Sequence, residues 1–412
     1  MTQRPLAAIV LAAGKGKRMR SPLPKVLLEA CGRPMVIHVL EALRSLQARP
    51  TVLVHGHGGA LVQEALKDRE LAFAHQEEQL GTGHAVQCAL PALQGFVGDV
   101  VVLCGDTPLL TAEVLTALVA DHRENRRALT VLSAELADPG SLGRIVRGVG
   151  GALERIVEFK DAAREPAIRA IREINTGVMV IDAALLPGAL ARLSSDNAQR
   201  EYYLTDVPGL LLADGRRADV FRTADTGAAL GVNTPGELAH AARLLRRRTL
   251  AGLMEAGVAV EDPETTLVDA GVEVGEGTVL LPFTYLATGV RIGRNCRIGP
   301  FACVGEGAVL GERAVVGPFV DARRCLLGPG AGVVGHAFLR DLALGAGASL
   351  GAGAMAPGPD AGGGRVVVGE GARIGAGAIL EAPVTVGERA VLPPGAVPGR
   401  EGEGPPGERT HG

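Results

Sequence analysis

Residues 290–317 read VRIGRNCRIGPFACVGEGAVLGERAVVG. Ile292-Gly293, Ile298-Gly299, Val304-Gly305, Leu310-Gly311 and Val316-Gly317 recur within this stretch every six residues. A second series in a shifted register, Leu344-Gly345, Leu350-Gly351, Val368-Gly369, Ile374-Gly375 and Val386-Gly387, continues at multiples of six. An aliphatic residue followed by glycine at period six is the hexapeptide β-helix pattern, in which each aliphatic side chain turns inward to stack in a prism core. The adjacent glycine is read as the residue that permits a tight corner. Such a solenoid serves equally well as a scaffold, so the repeat decides architecture before it says anything of chemistry.

Working outward, the solenoid occupies residues 258–398. Upstream, Leu238, Ala241, Ala242, Leu244, Leu245, Leu250, Leu253 and Met254 fall at helical intervals until Asp262-Pro263 stops the pattern, and residues 235–257 read as one linker helix. The longest basic run, Arg246-Arg247-Arg248, lies in that helix and reads as a solvated face. Downstream, residues 399–412 form a Gly/Pro/Glu-rich tail whose composition predicts disorder.

The 412 residues include 42 basic and 45 acidic side chains, 58 glycines and no tryptophan. A net charge of −3 gives no bulk attraction to nucleic acid or anionic lipid, and no local basic patch of convincing size replaces it. The six cysteines show neither CxxC nor CxxxxH spacing, which argues against a zinc knot or a disulfide framework and suits a reducing cytoplasm. No stretch has the apolar length of a membrane span, and the N-terminus lacks the features of a signal peptide. The expected protein is soluble and cytoplasmic, with no nucleic-acid or membrane partner.

Residues 1–234 follow a different plan. Strand-like runs at Ala7–Leu11, Thr51–His55, Leu71–His75 and Asp99–Cys104 alternate with amphipathic stretches at Pro34–Gln47, Gly59–Leu66, His84–Leu93 and Ala112–Glu124. Alternating β and α elements predict a parallel sheet covered on both faces, whose ligands bind beyond the carboxyl ends of the strands. There the sequence places Ala12-Ala13-Gly14-Lys15-Gly16-Lys17-Arg18, then Gln76 with Gln79-Leu80-Gly81-Thr82-Gly83, then Gly105-Asp106-Thr107. The first loop has glycines for close backbone approach and cations for phosphate, yet it is neither a Walker A loop nor a dinucleotide fingerprint. Lys25 follows the stiff Pro22-Leu23-Pro24 and offers a point charge to the same edge; Asp106 is placed like a hard ligand for Mg²⁺.

Leu11-Ala12-Ala13-Gly14-Lys15-Gly16-Lys17-Arg18-Met19 with Pro24-Lys25 resembles the signature of sugar-phosphate nucleotidylyltransferases. Further stretches are Gly56-His57-Gly58-Gly59, Gln79 to Ala85, Gly105-Asp106-x-Pro108-Leu109, Gly143-Arg144-Ile145, Val157-Glu158-x-Lys160-Asp161-Ala162, Ile174-Asn175-Thr176-Gly177, Glu201 to Asp206 and Gly231-Val232-Asn233. In order and spacing, over about residues 5–235, the set is similar to the bacterial family of bifunctional N-acetylglucosamine-1-phosphate uridylyltransferases and glucosamine-1-phosphate N-acetyltransferases. The resemblance implies a Rossmann-like α/β domain that condenses UTP with N-acetylglucosamine-1-phosphate, releasing pyrophosphate and forming UDP-N-acetylglucosamine. By the family pattern Asp106 and Asn233 bind Mg²⁺, and Arg18 and Lys25 neutralise the triphosphate and the transition state, with Lys15 and Lys17 nearby. Leu11, Ala12, Ala13, Gly14 and Gly105 belong to the substrate-binding loops. Gln76, Gln79, Gly81 and Thr82 read uracil, and Gly143, Glu158 and Asn175 hold the sugar. Amides suit an imide edge because they offer both donor and acceptor. Singly, Asp106 and Asn233 also read as helix N-caps, Glu158 as a solvated strand residue, and His57 and His84 as loop and helix-start packing residues.

Solenoids of this kind resemble left-handed, trimeric acyltransferases that bind acetyl-CoA between subunits. Gly317-Pro318-Phe319-Val320, Gly335-His336 and Ala382 to Gly387 keep part of the acetyltransferase pattern, and His336 falls at the position of its general base. Elsewhere the chain departs from it: Gly305-Glu306-Gly307 stands for an Arg-Pro-Gly stretch, Arg323 for a lysine, Leu339 for a tyrosine and Gly358-Pro359-Asp360 for Asn-Tyr-Asp. Three readings are open at this level: a uridylyltransferase on a trimerising scaffold, a full bifunctional enzyme using acetyl-CoA, and a silent nucleotide-sugar-binding regulatory subunit. Preference for dTTP or ATP over UTP is open as well.

Overall fold

The computed structural model describes residues 4–359 and 363–398. The tail at 399–412 and Asp360 lie outside the described residues. The chain divides into two compact units, residues 1–242 and 243–412.

In the first unit the elements run β1 (Leu6–Ala12), α1 (Met35–Arg44), β2 (Thr51–His55), α2 (Gly59–Ala65), β3 (Ala72–His75), α3 (Thr82–Ala89), β4 (Asp99–Cys104) and α4 (Ala112–Glu124), followed by β5 (Leu129–Glu135), β6 (Arg144–Arg147), β7 (Leu153–Val157), β8 (Glu173–Asp182) and β9 (Ala218–Thr223). The main path through the sheet is β3-β2-β1-β4-β8-β5-β9, with β6 paired to β8 off this path and β7 paired to β6. The four early strands are parallel, as the alternation predicts. The sheet as a whole is not parallel, because β8 runs antiparallel to both β4 and β5. After β5 the chain enters the β6–β7 hairpin beyond the carboxyl edge instead of crossing back over a face, so it re-enters the sheet from that edge. Asn175 in β8 therefore starts where β1 and β4 end.

Burial on both faces explains the near-continuous apolar strands. Ala7 and Ile9 of β1 join one core with Val100, Val102 and α3, while Ala8 and Val10 join another with Val101, Leu103, α1 and α4. The alternation is the period-two geometry of a strand. α3 begins at Thr82, earlier than the His84 pattern suggests, and gives way to a 3-10 turn at Leu90–Leu93, where Pro91 cannot continue the α-helical bonding.

At the sheet's other edge Asp99, fully buried, takes Arg4 at 3.1 Å and Arg123 at 2.9 Å, with His122 at 3.7 Å. The carboxyl is held below its usual range: burial opposes ionisation, but the His122 and Arg123 contacts outweigh it. A cavity of about 920 Å³ lined by these arginines lies here, away from the loops singled out above.

A helix spans Pro235–Glu255. Arg246 on it is not simply solvated, since its guanidinium lies 3.6 Å from buried Asp269, to which Tyr285 Oη donates at 2.6 Å. Beyond it, strands of two or three residues stack in three parallel sheets, containing Val279–Leu280, Tyr285–Leu286 and Arg291–Ile292 respectively. Leu280, Leu286, Ile292, Ile298, Val304 and Leu310 point into one apolar core.

The glycine after each aliphatic residue is explained differently from the corner reading. Most of these glycines, Gly293, Gly311, Gly345 and Gly369 among them, are outside the left-handed region, with Gly299 at φ 100° an exception. A Cβ at Gly293 would lie 2.7 Å from the backbone nitrogen of Glu312, and one at Gly345 would lie 2.6 Å from that of Glu370. Glycine is needed because successive coils touch backbone to backbone. The corners are instead turned at other positions, including Phe283, Asn295, Phe301, Arg313, Phe319 and His336, all left-handed.

The shift between the two hexapeptide series also has a local cause. Six residues separate inward-facing Val304 from Leu310, but five separate Ala322 from Leu327 and Leu339 from Leu344, and twelve separate Ala356 from Val368. All three changes fall on the same side of the prism, between the Tyr285 sheet and the Arg291 sheet. Among the described residues no helix is long and apolar enough to cross a membrane.

Candidate active site

β1 delivers the chain to Gly14 and Gly16 at the sheet's carboxyl edge. Gly16 has φ 57°, and a Cβ there would meet Lys25 Cβ at 2.7 Å, so glycine serves both the turn and the passage of Lys25. Pro24 packs against the second loop, where a Cβ at Gly58 would lie 2.6 Å from its ring. With its stem confined, Lys25 donates from Nζ to Asp106 Oδ2 in an ion pair and to Asn233 Oδ1 at 3.0 Å. The Val232 amide donates to the Asp106 carbonyl at 2.9 Å, tying the Asn233 loop to the end of β4. Three residues distant in sequence thus meet at one point.

The capping alternatives fall to neighbouring residues. Thr111 Oγ1 accepts from Val114 at the start of α4. Thr234 Oγ1 accepts from the Glu237 amide while Glu237 Oε2 accepts from Asn233 and Thr234, a reciprocal box that leaves the Asn233 carboxamide oxygen to Lys25.

A cleft of about 490 Å³ opens beside this cluster, lined by Leu11, Ala12, Ala13, Gly14, Lys15, Lys17, Lys25, Gln76, Gln79, Gly81, Thr82 and Asp106. Gly105 does not line it, but lies between the lining residues Cys104 and Asp106, with its amide donating to the Leu11 carbonyl at 2.9 Å. Gln76 is buried and donates to the Gly81 carbonyl at 3.0 Å, with His84 Nδ1 at 3.1 Å. Gln79 Nε2 is turned to the carbonyls of Gln76 and Glu77. Gly81 sits at φ 110°, where a Cβ would be 2.6 Å from the Tyr202 carbonyl. Thr82 Oγ1 accepts from the Leu204 amide at 3.1 Å. His57 is exposed on its loop instead of packed.

A second chamber, about 420 Å³, is lined by Arg18, Ser141, Glu158, Phe159, Lys160 and Gln199. Arg18 thus lines this chamber and a smaller one with Asn233, but not the Lys25 cleft. Gly143, Glu158 and Asn175 do come together. The Asn175 amide donates to the Gly143 carbonyl at 2.9 Å, and the missing Cβ of Gly143 leaves 3.5 Å to both Glu158 carboxylate oxygens. Glu158 is half-buried, not a solvated strand residue, and accepts from Thr205 Oγ1 at 3.1 Å. Burial pushes its carboxyl up, reinforced by Asp161, Asp206 and Glu201, against the pull of Thr205. Thr205 and Cys104 were not singled out from sequence. Thr205 belongs to the Glu201–Asp206 stretch, whereas Cys104, whose thiol burial pushes up to about 12, carries no pattern of its own.

Residues 8–203 match the model of the MobA-like NTP transferase domain, and residues 271–306 and 289–320 match the bacterial transferase hexapeptide. The first unit is an NTP transferase domain. The chain is 48% identical over 277 residues to the bifunctional protein GlmU of Syntrophotalea carbinolica, covering 67% of this chain and 59% of that one. It is 48% identical over 289 residues to that of Thermobifida fusca, covering 69% and 59%, and 48% identical over 287 residues to that of Streptomyces coelicolor, again covering 69% and 59%. The chain spans about three fifths of the length of these curated relatives.

Outside the NTP transferase domain, the hexapeptide solenoid places His336 on an exposed column. Phe283 and Phe301 stack at 4.6 Å, Phe301 and Phe319 at 5.0 Å, and Phe319 and His336 at 4.9 Å. His336 is the fourth rung of this ladder, at a left-handed corner with φ 51°. Leu339 is fully buried in the prism. Arg323 lies over Gly305, where a Cβ would meet its Cγ at 2.4 Å, and its Nε donates to Asp321 at 3.3 Å. Arg340 also pairs with Asp321, at 2.7 Å.

Proposed function

We propose that the NTP transferase domain joins UTP to N-acetylglucosamine-1-phosphate. A phosphate oxygen of the sugar attacks the α-phosphorus of UTP, the bond from that phosphorus to the bridging oxygen breaks, and pyrophosphate leaves. The nucleophile is already anionic near neutral pH, so the chain needs no base and acts by positioning and charge. The observation that carries the reading is the convergence of Lys25, Asp106 and Asn233 beside the glycine loop and the amide-lined cleft.

Asp106 Oδ2 and Asn233 Oδ1 are hard oxygen donors that already converge on one cation, and this donor set fits Mg²⁺. Held there, Mg²⁺ would neutralise the phosphates of the nucleotide. Lys15, Lys17 and Lys25 neutralise the triphosphate from the cleft wall, and Arg18 approaches from the sugar side. Gln76, Gln79, Gly81 and Thr82 recognise the base, while Gly143, Glu158 and Asn175 hold the sugar. The product, UDP-N-acetylglucosamine, is a precursor for cell-envelope synthesis. The reaction belongs in a reducing cytoplasm, in keeping with six free thiols.

Pyrophosphate release from UTP and N-acetylglucosamine-1-phosphate tests the assignment. Lys25→Ala or Asp106→Asn lowers the rate by about 10²–10³-fold, and unchanged rates overturn it. Replacing UTP by dTTP or ATP in the same assay decides nucleotide choice.

A second reading concerns the solenoid, proposed as a trimerising domain. The exposed imidazole of His336 favours a role in acetyl transfer from acetyl-CoA to glucosamine-1-phosphate, although Leu339 and Arg323 stand in altered surroundings. Thiol release that is lost in His336→Ala establishes the second activity, and no release above background leaves a scaffold.

A further inference from the structure

We propose that the Lys25 ammonium is the protein's own occupant of the Asp106–Asn233 cation position until a divalent metal displaces it. This rests on the metal position proposed above. Lys25 donates to Asp106 Oδ2 and to Asn233 Oδ1, the same two atoms assigned to the metal. Its side chain is 13% exposed and that of Asp106 18%, so water screens the pair only in part.

The surrounding backbone confines the base of the Lys25 side chain. Lys25 Cβ is held against Gly16 and Pro24 against Gly58, which confines motion to the outer methylenes. Asp106 and Asn233 are tied by the Val232 amide, and Asn233 Nδ2 donates to the Gly231 carbonyl at 3.3 Å, so the oxygens stay when the ammonium goes. Lys15 and Lys17 line the same cleft, and polyphosphate bound there is the natural next partner for the released charge. Ammonium and metal compete for the two oxygens, and phosphate removes the competitor. Metal and nucleotide therefore promote each other's binding, and by linkage each does so by the same factor. A lysine that merely supported the loop would act in the opposite direction, because its loss would loosen the metal position.

The test is Mn²⁺ binding to the full chain, followed by the paramagnetic resonance of free Mn²⁺ without nucleotide and then with UTP. Lys25→Met is expected to bind Mn²⁺ about tenfold more tightly than the unmodified protein when nucleotide is absent, and to gain less from UTP. Lys25→Arg, which keeps the charge, is expected to stay near the unmodified affinity, and Lys25→Gln repeats the uncharged arm should Lys25→Met fail to fold. Equal or weaker Mn²⁺ binding in the uncharged variants overturns the proposal. Asp106→Asn separates the two claims. If it leaves Mn²⁺ binding unchanged, the metal position itself is wrong. If it abolishes binding while Lys25→Met changes nothing, only the displacement is wrong.

Discussion

Glu158, proposed to hold the sugar, works against the stability of its own domain. Burial raises its carboxyl, so the folded chain keeps that proton to higher pH than the unfolded chain does. The resulting cost is absent below the ordinary glutamate range, grows as pH rises through the raised value, and is constant above it. Glu158→Gln is expected to raise the thermal midpoint at neutral pH, with the gain vanishing as pH falls below the ordinary range, while KM for the sugar phosphate increases. Midpoints measured across pH check this, and a gain independent of pH contradicts it. Asp99 has the opposite sign: its lowered carboxyl stabilises the fold above the ordinary aspartate range, and that contribution is lost as pH falls through the lowered value. Asp99→Asn, which leaves Arg123 facing a neutral group while Arg4 keeps Asp182 at 2.8 Å, is expected to cost about 1–3 kcal/mol in urea denaturation. At this scale Lys25 was legible as a cation near the strand ends. Asp106 was legible at the same edge and the resemblance added Asn233, but the direct bonds from Lys25 to both were not, because the partners lie 81 and 208 positions away.

Among elements, the coil-to-coil glycines make the clearest prediction. Gly293→Ala puts a methyl group 2.7 Å from the backbone of the next coil and is expected to lower solenoid stability by about 1–3 kcal/mol. Gly289, left-handed at φ 81° with open space around it, pays only the backbone term of about 1–2 kcal/mol on the same substitution. Thermal denaturation of the two variants separates crowding from backbone strain. The period of six was readable because it is local. The reason for the glycine was not, because its contact is with a residue one full coil away. The direction of β8 escaped for a related reason, since apolar periodicity marks a strand without saying which way it runs.

For the whole molecule, the two units have separate cores and are expected to unfold in separate calorimetric transitions. UTP with Mg²⁺ should move only the transition of the NTP transferase domain, by about 2.7 kcal/mol at a hundredfold excess over Kd. A single transition that shifts as one contradicts this. The change of plan along the chain was visible in composition, where strand–helix alternation gives way to glycine-dense repeats. The aromatic ladder was less visible, because Phe283, Phe301, Phe319 and His336 are isolated letters until the coils bring them into a column.

Among the described residues the prism takes up every change of coil length on one side, shortening it twice and lengthening it once, while the other two keep their pitch. That side is therefore a permissive seam. Foreign peptide grafted between Ala356 and Val368 should be displayed outside the barrel without throwing later rungs out of phase, whereas an equal insertion between Leu310 and Val316 should unthread everything that follows.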